Sequence, residues 1–176
     1  MQWRDKPRDL DLHLLSFNCN TSALVTHCYY GKADKRLGLE RGECLFLDHD
    51  DTRGNGCETL TLGQDGKGDA SMNRQHAYVW MVHQYSEEAP GRGSMSGEYM
   101  SVAFSGMINR TFTGDGAAVK ISGPQDARWW MIAVAKFDPK AEVWRFTQVN
   151  KFLPTAETGC TCPPNVAAIL PYINRP

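Results

Sequence analysis

Two acidic stretches hold the side chains with chemistry to offer. In "PRDLDLHLLSFNC" (residues 7–19), Asp9, Asp11 and His13 occupy alternate positions. In "ECLFLDHDDTRGNGCETLTL" (residues 43–62), Asp48, His49, Asp50 and Asp51 crowd into one turn. Carboxylates this close repel one another unless water, a donor or a cation separates them. Side chains at i, i+2 and i+4 of a strand share a face, so the first three form a row with about 6.6 Å between neighbours. Calcium takes six to eight oxygens from carboxylates, carbonyls and water, and two acidic segments brought together by sheet packing would meet that demand. Asp9, Asp11, His13, Asp48, His49, Asp50 and Asp51 are therefore the expected metal ligands, with Ca2+ as the expected cofactor. The spacing is not that of an EF-hand loop.

Two other readings compete. Asp, Asn and Gly are turn residues whose side chains cap their own backbone, so "DHDDTRGNG" also reads as a solvated turn, with Arg4, Arg8 or Arg53 neutralising the strand row. Zinc is the second metal. His13, His49 and His83 sit close to the same acidic segments, and a His/Asp set suits a tetrahedral ion, although no HExxH spacing is present. There is no GxSxG elbow, P-loop or GxGxxG. Carboxylates crowded into one turn make a poor acid–nucleophile pair for glycoside hydrolysis. No catalytic residue is assigned, and the chain reads as a non-enzyme.

The elements that must position these residues are strands. "DLDLHLL" alternates strictly, with Leu10, Leu12 and Leu14 on one face and Asp9, Asp11 and His13 on the other. "ECLFLD" and "CETLTL" read as a hairpin about the acidic turn. "QHAYVWMVHQY" reads as a strand buried on both faces, and "RWWMIAVAKFD" with "EVWRFTQVNKFL" as a hairpin turning at "DPK", residues 138–140. No segment carries a capped helical stripe. The expected fold is all-β: a single jelly-roll-like β-sandwich of about eight or nine strands over residues 1–150. A proline- and cysteine-rich extension, residues 151–176, reads as irregular. Adjacent Trp129 and Trp130 must face opposite sides of their strand. At most one then faces the core of a sandwich; the other lies under a loop or is exposed for stacking on a sugar.

The 176 residues suit one domain with a full core. With 19 basic and 20 acidic residues, net charge −1, the chain has no electrostatic footprint for nucleic acid. No apolar run reaches the roughly 18 residues of a membrane helix, and "MQWRDKPRD" lacks the apolar core of a signal peptide. Six cysteines (Cys19, Cys28, Cys44, Cys57, Cys160 and Cys162), an even count without a zinc-ribbon CxxC, favour disulfides and an oxidising compartment. Cys19 with Cys28 is the preferred pair, and Cys160 or Cys162 would reach back to the hairpin. Sequons at Asn20 and Asn109 point the same way.

"W…P.DLDLHL" (Trp3 to Leu14), "LDHDD..G.G.ETLTL" (Leu47–Leu62), "YVWMVHQYS" and "RWWMIAVAKFD" occur in that order. Over roughly residues 3–140 the chain resembles the YfaP-type domain of unknown function of bacterial secreted and surface proteins. Through its "DLDL" strand it is also similar to bacterial pre-peptidase C-terminal domains, small β-sandwiches that can bind calcium. The chain departs from the pattern at Cys57, where proline usually precedes the glutamate, and in its cysteines and its tail. The resemblance implies a β-sandwich and favours calcium; it implies no reaction. The expectation is an extracellular or cell-surface module for adhesion or surface assembly, part of a larger protein or assembly, with other protein subunits or surface glycans as partners. A calcium-dependent glycan-binding module is the alternative.

Overall fold

The computed structural model describes residues 1–3, 9–29, 45–49, 57–62, 72–85, 100–104, 110–113, 127–154 and 165–174. Within them the chain is mostly β. Strands β1 (Gln2–Trp3), β2 (Leu10–Asn18), β3 (Leu24–Cys28), β4 (Leu45–His49) and β5 (Thr59–Leu62) occupy the first third. They are followed by β6 (His76–Gln84), β7 (Met100–Phe104), β8 (Arg110–Thr113), β9 (Ala127–Asp138) and β10 (Val143–Pro154). One helix, α1 (Val166–Ile173), follows.

The largest sheet is antiparallel, with order β10-β9-β6-β2-β3; β1-β7-β8 and β4-β5 form two smaller sheets. Both hairpins expected from the sequence are present, β4 with β5 and β9 with β10. In the second, the Asp138 carboxylate accepts from the Lys140 and Ala141 backbone N–H groups. The side chain of Arg145 donates to the same carboxylate and, with those backbone donors, holds it below the usual carboxylate range.

Every residue of β6 is buried, as its aromatic and β-branched sequence anticipates. The five-stranded sheet carries an apolar core on each face. Leu10, Leu12 and Leu14 join Tyr78, Trp80, Val82, Trp130 and Ile132 on one side. Leu15, Phe17, Ala77, Val79, Met81, Trp129 and Met131 lie on the other. Each large side chain so buried contributes about 1.5–3 kcal/mol. Trp129 and Trp130 do face opposite sides, and both are fully buried. Of the two fates expected for the second indole, burial under a cover holds and exposure fails, because this sheet is covered on both faces. The Trp130 indole N–H donates to the Asn150 side chain across a bulge in β10, where Asn150 takes φ 46°.

The irregular tail is also corrected. Strand β10 runs through residue 150, so the expected boundary falls inside a strand. Beyond it, α1 lays Ile169 and Ile173, one turn apart, into the second core. Asn165 caps the helix by accepting from Ala167 N–H, and Lys136 donates to the Ile173 carbonyl at the other end. Cys19 and Cys57 are free thiols. The expected Cys19–Cys28 bridge is not formed, because Cys28 lies in the first core and Cys19 packs against the second, on the opposite face. Cys44, Cys160 and Cys162 lie outside the described residues.

Candidate metal centre

The alternation of β2 places Asp11 and His13 on the face that carries Leu15 and Phe17. Register then brings histidines to them from both neighbouring strands. Asp11 stands directly opposite His83 of β6. His13 is diagonal to His83, and on its other side it is diagonal to His27 of β3, which stands opposite Leu15. Diagonal neighbours on one sheet face are within reach of long or ring side chains. Trp129 of β9 stands opposite His83 and completes the row.

One potential ligand atom from each of Asp11, His13 and His83 lies within 4.8 Å of the other two. Their exposures are 2%, 0% and 3%, so the triad is in the interior. The His83 ring is stacked on Trp129 at 4.2 Å, and His13 meets the same indole edge-on at 4.8 Å. His13 Nδ1 is 2.8 Å from His27 Nε2, and the Tyr29 ring stacks on both histidines. Burial drives the His13 pKa well below its ordinary value, and neighbouring His27 and His83 push it further down, so His13 is a neutral imidazole. Neither ring nitrogen of His83 has a hydrogen-bond partner among the described residues. Its Nδ1 is 3.8 Å from Asp11 Oδ2, too long for a hydrogen bond.

Two imidazoles and a carboxylate are a donor set for a borderline divalent transition metal, and zinc takes them in tetrahedral geometry. Ligand atoms around one such ion lie about 3.3 Å apart, given bonds of about 2.0–2.1 Å. The triad needs to draw in by no more than about 1.5 Å to reach that spacing. The same set fits calcium poorly, because it offers a single carboxylate where calcium requires six to eight oxygens.

Of the residues expected from the sequence, Asp11 and His13 are brought together with His83, which entered the sequence reading only as a zinc candidate. Asp9 precedes β2 and is half-buried; its carbonyl accepts from the Tyr85 N–H. Asp48 and His49 end β4, where the backbone alone is described, and Asp50 and Asp51 lie outside the described residues. Asn20 is exposed in the turn after β2, while Asn109 lies outside the described residues. Two buried polar residues against β2 were not anticipated, and of these His27 touches the triad through His13. His27 sits in "LVTHC", where a lone histidine carries no ligand signal. Glu58 sits in the second acidic motif, is 1% exposed, and accepts the Leu12 backbone N–H through its carboxylate.

No family model matches the chain, and no curated protein matches it. The likeness to secreted β-sandwich domains therefore stands on the sequence motifs alone.

Proposed function

We propose that this chain is a non-enzymatic β-sandwich module whose central sheet is stapled by a divalent transition metal, zinc foremost, held by Asp11, His13 and His83. The observation that carries the reading is His83, 3% exposed and with both ring nitrogens lacking a hydrogen-bond partner among the described residues, set against a buried carboxylate and a neutral imidazole. A divalent cation satisfies all three groups. Ligands this deeply buried suit a closed structural site better than a catalytic one, which keeps a position open to substrate. The second layer of the sandwich is supported by Met1, beside β1, and Leu60 of β5, which both pack into the first core. A backbone hydrogen bond from Glu58 N to the Met1 carbonyl, 3.0 Å, ties the two segments together.

The module acts outside the cell, in adhesion or surface assembly with other protein subunits. The support is the sequence resemblance and the exposed Asn20 sequon. Among the described residues no helix is long and apolar enough to cross a membrane. The glycan-binding alternative loses part of its motive, since Trp129 and Trp130 are buried and offer no stacking face.

Thermal melts in EDTA, then with Zn2+ or Ca2+ restored, test the reading. Ligand at 100 times its Kd adds about 2.7 kcal/mol, which for a chain of this size raises Tm by about 5–11 °C. The zinc shift is expected, and it is expected to vanish in His83→Ala and Asp11→Asn. A calcium shift that survives both substitutions would place the ion at the acidic turn of Asp48 to Asp51 instead. No shift with either metal would reduce the triad to a buried polar cluster.

A further inference from the structure

Granted a metal held by Asp11, His13 and His83, on which the proposal rests, the contact between His13 and His27 has a consequence of its own. His13 Nδ1 and His27 Nε2 are 2.8 Å apart. Two nitrogens bound to one tetrahedral zinc would stand about 3.3 Å apart, so this is the spacing of a hydrogen bond and not of two ligands to the same ion. One proton lies between the two rings, and two arrangements are open to it. If His27 donates, His13 Nδ1 is the acceptor and its Nε2 carries the ring proton, which blocks that nitrogen as a ligand. If His13 donates, its Nε2 presents a lone pair, and the ring is already in the tautomer a metal requires.

We propose that His27 is the positioning residue of the centre: it accepts the His13 Nδ1–H through its own Nε2 and thereby aims His13 Nε2, unprotonated, at the ion. The surroundings fix the two rings for this task. His27 is 8% exposed. Tyr29 stacks on His27 at 4.5 Å and on His13 at 5.5 Å, nearly parallel to the latter. Trp129 closes against the edge of His13. The His13 ring is packed by His27 and Tyr29 on one side and by His83 and Trp129 on the other, with its Nδ1 turned to His27. Coordination then involves Asp11, His13 and His83 directly, while His27 acts through His13. Outer partners of ligating histidines typically change metal affinity by about 10–100-fold when removed.

The test is zinc affinity of the full chain by competition with a chromogenic chelator, with Co2+ absorption spectra reporting the ligand set. His27→Leu removes the acceptor, and His27→Gln returns one on a side chain of similar reach. Expected are one Zn2+ per chain throughout, affinity about 10–100-fold weaker in the leucine variant, recovery of most of that loss in the glutamine variant, and an unchanged Co2+ spectrum. His13→Ala and His83→Ala are expected to abolish binding. Equal affinity in the wild type and both His27 variants would overturn the positioning role. So would loss of binding in both variants with a changed Co2+ spectrum, which would make His27 a ligand. If the wild type bound no metal, the metal reading itself would fail and take the role of His27 with it. A measurement on the wild type guards against variants that do not fold. Long-range 1H–15N spectra of the zinc-loaded protein should show His13 protonated at Nδ1 and His27 unprotonated at Nε2. The reverse assignment would refute the proposal without any substitution.

Discussion

Glu58 shows how one buried carboxylate can complete a sheet. Strand β3 is paired with β2 as far as Cys28, opposite Leu14, and among the described residues the β3-facing side of β2 has no ladder partner at Leu12. The Leu12 N–H is donated to the Glu58 carboxylate instead, in a site from which water is almost excluded. A buried N–H left without an acceptor costs about 1–3 kcal/mol. Glu58→Ala is therefore expected to lower stability by about that amount in urea unfolding. Glu58→Gln, which keeps an acceptor oxygen, should recover most of the loss. An unchanged urea midpoint in the alanine variant would mean that water reaches Leu12 and that the carboxylate is not needed there. Both variants leave the ligand triad untouched, so this effect is separable from metal binding.

Among the elements, α1 ties the C-terminal tail to the sheet. Its two buried isoleucines enter the core formed by Phe17, Val79, Met131 and Leu153. Ile169 is fully buried, and truncation of such a side chain costs about 2–5 kcal/mol. Ile169→Ala should show that loss as a lower urea midpoint with an unchanged m-value; a drop in m would mean instead that the helix had come away in the native state. The sequence carried little trace of this helix. "PPNVAAILPYI" has prolines before it and Pro171 within it, and three turns of amphipathic pattern never develop in eight residues. Asn165 as the cap was the one local cue. The strands were far more legible. Period two in "DLDLHLL" and the turn residues at "DPK" gave β2 and the β9–β10 hairpin their places. What lay beyond local pattern was the cover on each face. Alternation says that Asp11 and His13 oppose Leu12 and Leu14, but not that their face is also interior. That depends on β6 and β9 pairing beside β2, and on the chain segments that close the second core. The same long-range register decides that His83 and His27 meet His13, which no spacing within β2 could announce.

At the scale of the whole molecule, a buried neutral histidine makes folding depend on pH. The His13 pKa is depressed in the folded protein, chiefly by burial, while in the unfolded chain it returns to about 6.5. Between the folded and unfolded pKa values the unfolded state binds more protons, so stability rises with pH across that window. The contribution is complete above about pH 6.5 and is lost as pH falls below it, with a limiting slope of about 1.4 kcal/mol per pH unit for one group. Metal-free protein in EDTA should thus show a falling urea midpoint from pH 7.5 through pH 6.5 to pH 5.5. His13→Gln cannot take up that proton, and its midpoint should fall less steeply over the same range. An equal slope in the two proteins would assign the acid sensitivity to other groups. Zinc binds the same imidazole in its neutral form, so protons and metal compete for the site. The zinc-induced rise in Tm should accordingly shrink over the same acid range. A rise that held undiminished at pH 5.5 would mean that the ion is bound by oxygens alone.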